Sequence, residues 1–158
     1  MLGNYGWDNP IGSSGLITWD RNGEVIFKND KADISDCYAL NVVDDNEVWF
    51  YYYTDFILGR ITNGHIEFYN PHLSGSAGFV VWKNSFLFDM GYGKHDEYLL
   101  FKISKSGIFK KFQKLKFVKD NGKSIKSIYR DFRGDSLILE DEKIIYKIQL
   151  RIIINDLG

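Results

Sequence analysis

Apolar residues along this chain come in short bursts, many alternating with polar positions, and almost nowhere at the spacing of a helix face. The bursts are Leu16–Trp19, Val25–Phe27, Tyr38–Val43, Val48–Tyr53, Phe56–Ile61, Ile66–Tyr69, Phe79–Trp82, Phe86–Met90, Tyr98–Ile103, Ile108–Phe112, Ile128–Phe132, Leu137–Leu139 and Ile144–Ile148. Gly, Asn, Asp and Ser stand between them, the residues that close tight turns. This pattern predicts an all-β fold of antiparallel strands joined by hairpins.

The bursts repeat as pairs. One hairpin recurs at Ile17–Phe27, Gly59–Phe68 and Phe101–Phe109, each with a polar Asp, Thr or Ser before a turn that closes on Gly23, Gly64 or Gly107. A tight turn needs φ > 0 there, which glycine adopts without cost. A second hairpin alternates with it at Asn41–Phe50, Phe79–Phe88 and, more loosely, Tyr129–Ile138. Four strands in each unit of about 40 residues is the arithmetic of antiparallel β-propeller blades. The units are a half blade at 1–30, blades at 36–70 and 76–112, and a third blade at 125–154 with a weak fourth strand, all in one domain, 1–158. Residues 113–124, rich in Lys and Gly, connect the last two. About 3.5 blades make a partial propeller, and closed rings need at least four. A second copy completing the ring is therefore an expected partner.

Composition narrows the class. The 158 residues are 44% hydrophobic and 16% aromatic, too apolar for disorder and suited to half-buried strands. One cysteine, Cys37, excludes an intrachain disulfide framework, and its place at a strand start predicts a small buried side chain. No signal segment opens the chain, and no apolar run approaches the ~20 residues of a membrane helix, so a cytoplasmic protein without membrane contact is expected. Net charge is −1, but residues 1–90 carry twelve acids and five bases, and residues 91–158 nine acids and fifteen bases. Nine lysines lie from Lys102 to Lys126 without aromatics interleaved as a base-stacking platform needs. Nucleic acid is not an expected partner.

Catalytic motifs fail on spacing. Gly12-Ser13-Ser14-Gly15 and Gly75-Ser76-Ala77-Gly78 are not nucleophile elbows, and Gly91-Tyr92-Gly93 lacks a third glycine and a following helix. His65, His72 and His95 are scattered, and Asp141-Glu142 should be solvated across a short turn. No catalytic set, metal site or cofactor is expected. What a propeller would gather instead is loops of one type on one face. Tyr5, Trp7, Asp8, Asp36, Tyr53, Asp55, Tyr92, His95 and Asp96 then line a shared concave surface. Rings with carboxylates suit stacking on a sugar or peptide while hydrogen bonds fix its orientation.

Gly3-Asn4-Tyr5-Gly6-Trp7, Pro10–Leu16, Asp36–Val42 and Tyr52–Phe56 resemble segments of uncharacterised bacterial β-propeller-like proteins with WD40-like repeats, over about residues 3–112. In that group further strands precede the glycine–aromatic segment, so the resemblance implies a member shortened at its N terminus. It implies a fold and no activity. The expected function is a binding or scaffold protein that recognises a peptide, protein or glycan on its loop face. The alternatives are a metal-assisted hydrolase or lyase at the channel, with Asp36, Asp55 and Asp96 converging on a cation, and an inactive fragment.

Overall fold

The structure, a computed structural model, describes residues 11–157. It holds four antiparallel sheets in chain order. The first pairs β1 (Ile17–Trp19) with β2 (Val25–Lys28). The second contains β3 (Asp36–Asp44), β4 (Glu47–Tyr53), β5 (Ile57–Thr62) and β6 (His65–Tyr69), in that spatial order. The third contains β7 (Phe79–Trp82), β8 (Ser85–Asp89), β9 (Tyr98–Ile103) and β10 (Phe109–Leu115). The fourth contains β11 (Tyr129–Arg133), β12 (Ser136–Asp141) and β13 (Ile144–Gln149), and α1 (Leu150–Leu157) follows it. Every apolar burst of the sequence lies on one of these strands to within a few residues. None of the four sheets closes on itself.

Turn chemistry explains the repeat. Gly23, Gly64 and Gly107 all have φ between +77° and +85°, the left-handed backbone that the recurring hairpin requires. Asp20 accepts the backbone N–H groups of Asn22 and Glu24, and Ser104 accepts that of Ile108, so the polar residue before each of these two turns locks it from inside.

Two cores lie between the sheets. Trp49, Tyr51 and Leu58 of the second sheet bury against Phe79, Phe86, Phe88 and Phe101 of the third. Val80, Leu87, Tyr98 and Leu100 on the other face of the third sheet bury against Leu137, Leu139 and Leu150. Strand β8, reading Ser-Phe-Leu-Phe-Asp, is buried throughout because both of its faces are covered.

The first strands of three successive sheets, β3, β7 and β11, lie beside one another. Asn41 of β3 ties them. Its Nδ2 donates to the carbonyls of Phe79 (2.9 Å) and Gly134 (3.1 Å), and its Oδ1 accepts the Gly134 N–H (2.9 Å). The Gly134 carbonyl also accepts from the N–H of Val81 at 2.8 Å.

Three sequence expectations are corrected. The weak fourth strand of the last unit is instead α1. Arg151-Ile152-Ile153-Ile154 carries β-branched residues, yet helical winding puts Leu150, Ile153 and Ile154 on one face against the core of β7 and β8. Burial of that stripe outweighs local strand preference. Cys37 is exposed, not buried, because β3 begins at the rim of its sheet. Its thiol turns back to donate to the Ala39 carbonyl, and desolvation together with the Asp36 carboxylate raises its pKa, leaving a poor nucleophile. Asp141 is buried, not solvated, as described below.

Candidate functional site

The aromatic half of the site is assembled at one end of the second and third sheets. Tyr38 comes from the start of β3 and Tyr53 from the end of β4, where Asp36 and Tyr53 are register partners. Phe56 lies in the turn into β5, with φ of 55°. Tyr92 lies in the loop between β8 and β9. The rings of Tyr38 and Tyr53 stack at 6.3 Å, and Phe56 meets Tyr38, Tyr53 and Tyr92 edge-on at 5.4, 5.4 and 6.3 Å. A bond of 2.9 Å joins the Tyr38 and Tyr92 hydroxyls, and chiefly through it the Tyr38 phenol is pushed up to about 12. Tyr51 backs this wall, stacked on Phe56 at 5.8 Å, with its hydroxyl donating to the Leu73 carbonyl. Desolvation holds the Tyr51 phenol protonated.

The wall has an open side. Tyr53 is 41% exposed and Tyr92 62%. What seats Tyr92 is a glycine. A Cβ built on Gly75 would stand 2.3 Å from its ring, and the φ of +69° at Gly75 independently disfavours a side chain. Behind both lies Asp89, with no exposed surface. It accepts from the N–H groups of Ala77 (3.1 Å) and Gly91 (2.9 Å), and lies 3.0 Å from Nδ1 of His95. The carboxylate thus holds the entry to β7 and both ends of the Tyr92 loop.

The same loop opens on its other side into a cleft of about 320 Å³ lined by Lys94, His95, Glu97, Lys116, Lys126 and Arg130. Asp96 accepts the Ser127 hydroxyl (2.6 Å) and N–H (3.1 Å), with Arg130 at 3.4 Å and Lys126 at 3.8 Å. Burial raises the Asp96 pKa, but Ser127 and Arg130 outweigh it and the carboxyl stays below its ordinary value. Lys94 forms no salt bridge among the described residues. Asp141 anchors the next element in the same fashion as Asp89, accepting from the Lys126 N–H (3.0 Å) and from Lys119 Nζ (2.9 Å). A second cavity, about 370 Å³, runs where β3, β7 and β11 meet, with Ala39, Gly78, Tyr129 and Arg130 in its wall.

The expected site residues therefore divide. Tyr53 and Tyr92 are brought together through Tyr38 and Phe56, with Asp36 exposed two residues before Tyr38 and Asp55 exposed between Tyr53 and Phe56. His95 and Asp96 are taken up in holding the loop and the approach to β11. Tyr5, Trp7 and Asp8 lie outside the described residues. Among the described residues no group of three or more His, Cys, Asp or Glu side chains is placed to hold a metal ion. No helix among them is long and apolar enough to cross a membrane. Sequence reasoning missed Asp89, whose signal was a lone carboxylate closing an apolar strand two residues before a glycine. It also missed Tyr38 and Phe56 as ring partners, for which no local signal existed.

Glu97 provides a pH prediction. Lys114 and Lys116 approach its two oxygens at 2.5 and 2.6 Å and hold its pKa at about 2, against an ordinary 4.5. A carboxylate with a depressed native pKa stabilises fully above its unfolded pKa and loses that contribution as pH falls through the native one. Melting temperature is therefore expected to fall between pH 4.5 and about 2, with Asp96 and Asp141, both also lowered, adding to the slope. Glu97→Gln should flatten that part of the profile by lowering the neutral-pH value, and leave the value near pH 2 nearly unchanged. An identical profile in the variant would show that the lysine pair is too solvated to count.

No curated protein and no solved structure matches the chain. One family model does, over residues 12–148, from ahead of β1 into β13, and on that match the chain belongs to the YxzG family.

Proposed function

We propose that the protein is a non-enzymatic binding module whose sheets are successive blades of a partial β-propeller, and that it recognises a peptide segment of a partner protein on the Tyr53–Tyr92 face. The blade reading is supported by the side-by-side first strands β3, β7 and β11, and by Asn41 of β3, which bonds Phe79 of β7 and Gly134 just after β11. The observation that carries the binding reading is the pair of half-exposed tyrosines, both held edge-on by Phe56, with Tyr92 seated on Gly75. Rigid aromatic rings with few rotatable bonds give contact area at low entropic cost. Asp36 and Asp55, exposed beside the rings, supply carboxylates that accept hydrogen bonds from a ligand. Asp89 and His95, behind the wall, are occupied with loop structure.

Binding to a panel of acidic, neutral and basic Tyr-containing and Pro-containing peptides, and to a glycan array, tests this. Basic and neutral peptides should bind above acidic ones, and Tyr92→Ala should weaken them by ~10-fold or more, as loss of an interface aromatic does. Asp55→Asn should weaken the basic peptides most. Binding that prefers glycans, or that survives Tyr53→Ala and Tyr92→Ala unchanged, overturns the reading.

A further inference from the structure

The cleft of about 320 Å³ on the far side of the Tyr92 loop is walled by charged and hydroxyl side chains and, Gly93 aside, by no apolar residue. Its bases outnumber its acids. Glu97 lies between Lys114 and Lys116, and Asp96 between Lys126 and Arg130, so each carboxylate is shared by two cations. Lys94 adds a cation that has no such partner among the described residues. Asp89, buried behind His95, is a third carboxylate to set against these five bases, and the local balance stays positive. A concave site with one sign of charge in excess concentrates ligands of the other.

Arg130 is the fixed element of the wall. Its Nε donates to the Ser127 hydroxyl at 2.8 Å, and its Nη2 to the Ser127 carbonyl at 3.1 Å and to Asp96 Oδ1 at 3.4 Å. Three bonds therefore hold the guanidinium in place before any ligand arrives, which removes most of the ordering cost of using it. Lys94 and Lys126 are exposed on the two segments that flank it, free to close on an anion. Acceptors stand beside these donors. Asp96 Oδ2 is approached by Lys126 alone, at 3.8 Å, and the exposed Ser124 hydroxyl lies in the same wall.

The rest of the lining narrows the ligand. Apart from the His95 imidazole no ring is present to stack a nucleobase, and no aliphatic side chain to receive the apolar residues of a peptide. The volume lies at the lower end of the ~300–1,000 Å³ of small-molecule sites, more room than a bare phosphate fills.

We infer that this cleft binds a phosphate monoester on a small polyhydroxylated body, of the sugar phosphate class. Lys94, Lys126 and Arg130 hold the phosphate, and Asp96, Glu97 and Ser124 meet the hydroxyls. Peptide recognition on the Tyr53–Tyr92 face does not enter the inference.

Calorimetric titration tests it, with ribose 5-phosphate, glucose 6-phosphate, the two free sugars, inorganic phosphate, AMP and a phosphoserine peptide as probes. A sugar phosphate should bind more tightly than phosphate, AMP or the peptide, and the free sugars should not bind. Lys94→Ala and Lys126→Ala should each weaken it ~10-fold, as loss of a charge-assisted hydrogen bond does, and the double variant further. Both lysines are exposed, so melting should stay near that of the wild type. Lys28→Ala, which removes the same charge from β2, should leave affinity unchanged. Rising ionic strength should weaken the wild type more than the double variant. Absence of binding by both sugar phosphates at millimolar concentration, or affinity untouched in the double variant, overturns the inference. Free sugars binding as well as their phosphates, or phosphate alone binding as well as its esters, overturns it too. A preference for AMP or for the phosphopeptide overturns it equally, because the cleft would then be reading a base or a chain.

Discussion

Replacing Asn41 by leucine should lower unfolding free energy by about 3–4 kcal/mol, the largest loss expected from a single conservative change in volume. Its side chain is 1% exposed and serves one acceptor and one donor that have no other partner given by the geometry, the Phe79 carbonyl and the Gly134 N–H. The Gly134 carbonyl keeps its bond from the Val81 N–H, so it is the least affected of the three. Each buried polar group left unpaired costs about 1–3 kcal/mol, and leucine recovers only part of that through apolar burial. For a chain of this length the loss corresponds to a fall in melting temperature of roughly 10 °C. Asn121→Ala, in an exposed turn where Asn121 accepts one N–H, should cost under about 1 kcal/mol. Chemical denaturation of the two variants side by side decides the matter. If the two lose alike, the three first strands are held by their side-chain faces and Asn41 is incidental.

Asp89→Ala is expected to come close to this in stability and to exceed it in its effect on the binding face. A fully buried carboxylate collects the Ala77 and Gly91 N–H groups and His95, and alanine leaves these without an acceptor. The expected cost is about 3 kcal/mol. The loss is directional as well. Gly91 precedes Tyr92, and Ala77 follows the Gly75 on which the Tyr92 ring rests, so freeing both ends should let the ring leave its seat. Hydrogen exchange across residues 90–97 should accelerate, and peptide affinity at the Tyr92 face should fall with it. Asp89→Asn retains one acceptor oxygen and should sit between. If Asp89→Ala unfolds the protein, the asparagine variant carries the test: unchanged exchange in residues 90–97 would show that Asp89 does not position the loop.

The strands were legible because strand formation is read from neighbours two residues apart and from turn residues between them. Val48-Trp49-Phe50-Tyr51-Tyr52-Tyr53, followed by a turn and by Ile57–Ile61, states a hairpin without reference to the rest of the chain. The glycines at 23, 64 and 107 state the same at three other points, since only backbone geometry is at issue there. The grouping into sheets followed from the repeat. Architecture beyond that, a ring or part of one, depends on how sheets face each other, and strand periodicity is silent on it.

Half of the candidate site was legible for a similar reason. Tyr53 and Tyr92 stood at the strand ends and loops where exposed rings gather on one edge. The roles of the charged residues were not. Asp141 looks from sequence like any acid at a hairpin tip, and its burial comes from Lys119 and the Lys126 N–H, residues in the connection that crosses over it. His95 and Asp96 read as ligand-facing for want of Asp89, Ser127 and Arg130 beside them. The final segment shows the limit most plainly: Ile152-Ile153-Ile154 prefers a strand, and the open core between β8 and β12 makes it a helix.

Alternation and glycine placement, acting over a few residues, thus determined every strand and hairpin of this protein. Which side chains are buried, which acids are tied to loops and which end segment winds into a helix were decided only in the folded chain. Those outcomes depend on free energies of contacts between residues tens of positions apart, such as Asn41 with Gly134 or Asp96 with Arg130, and no local pattern encodes a partner at that distance.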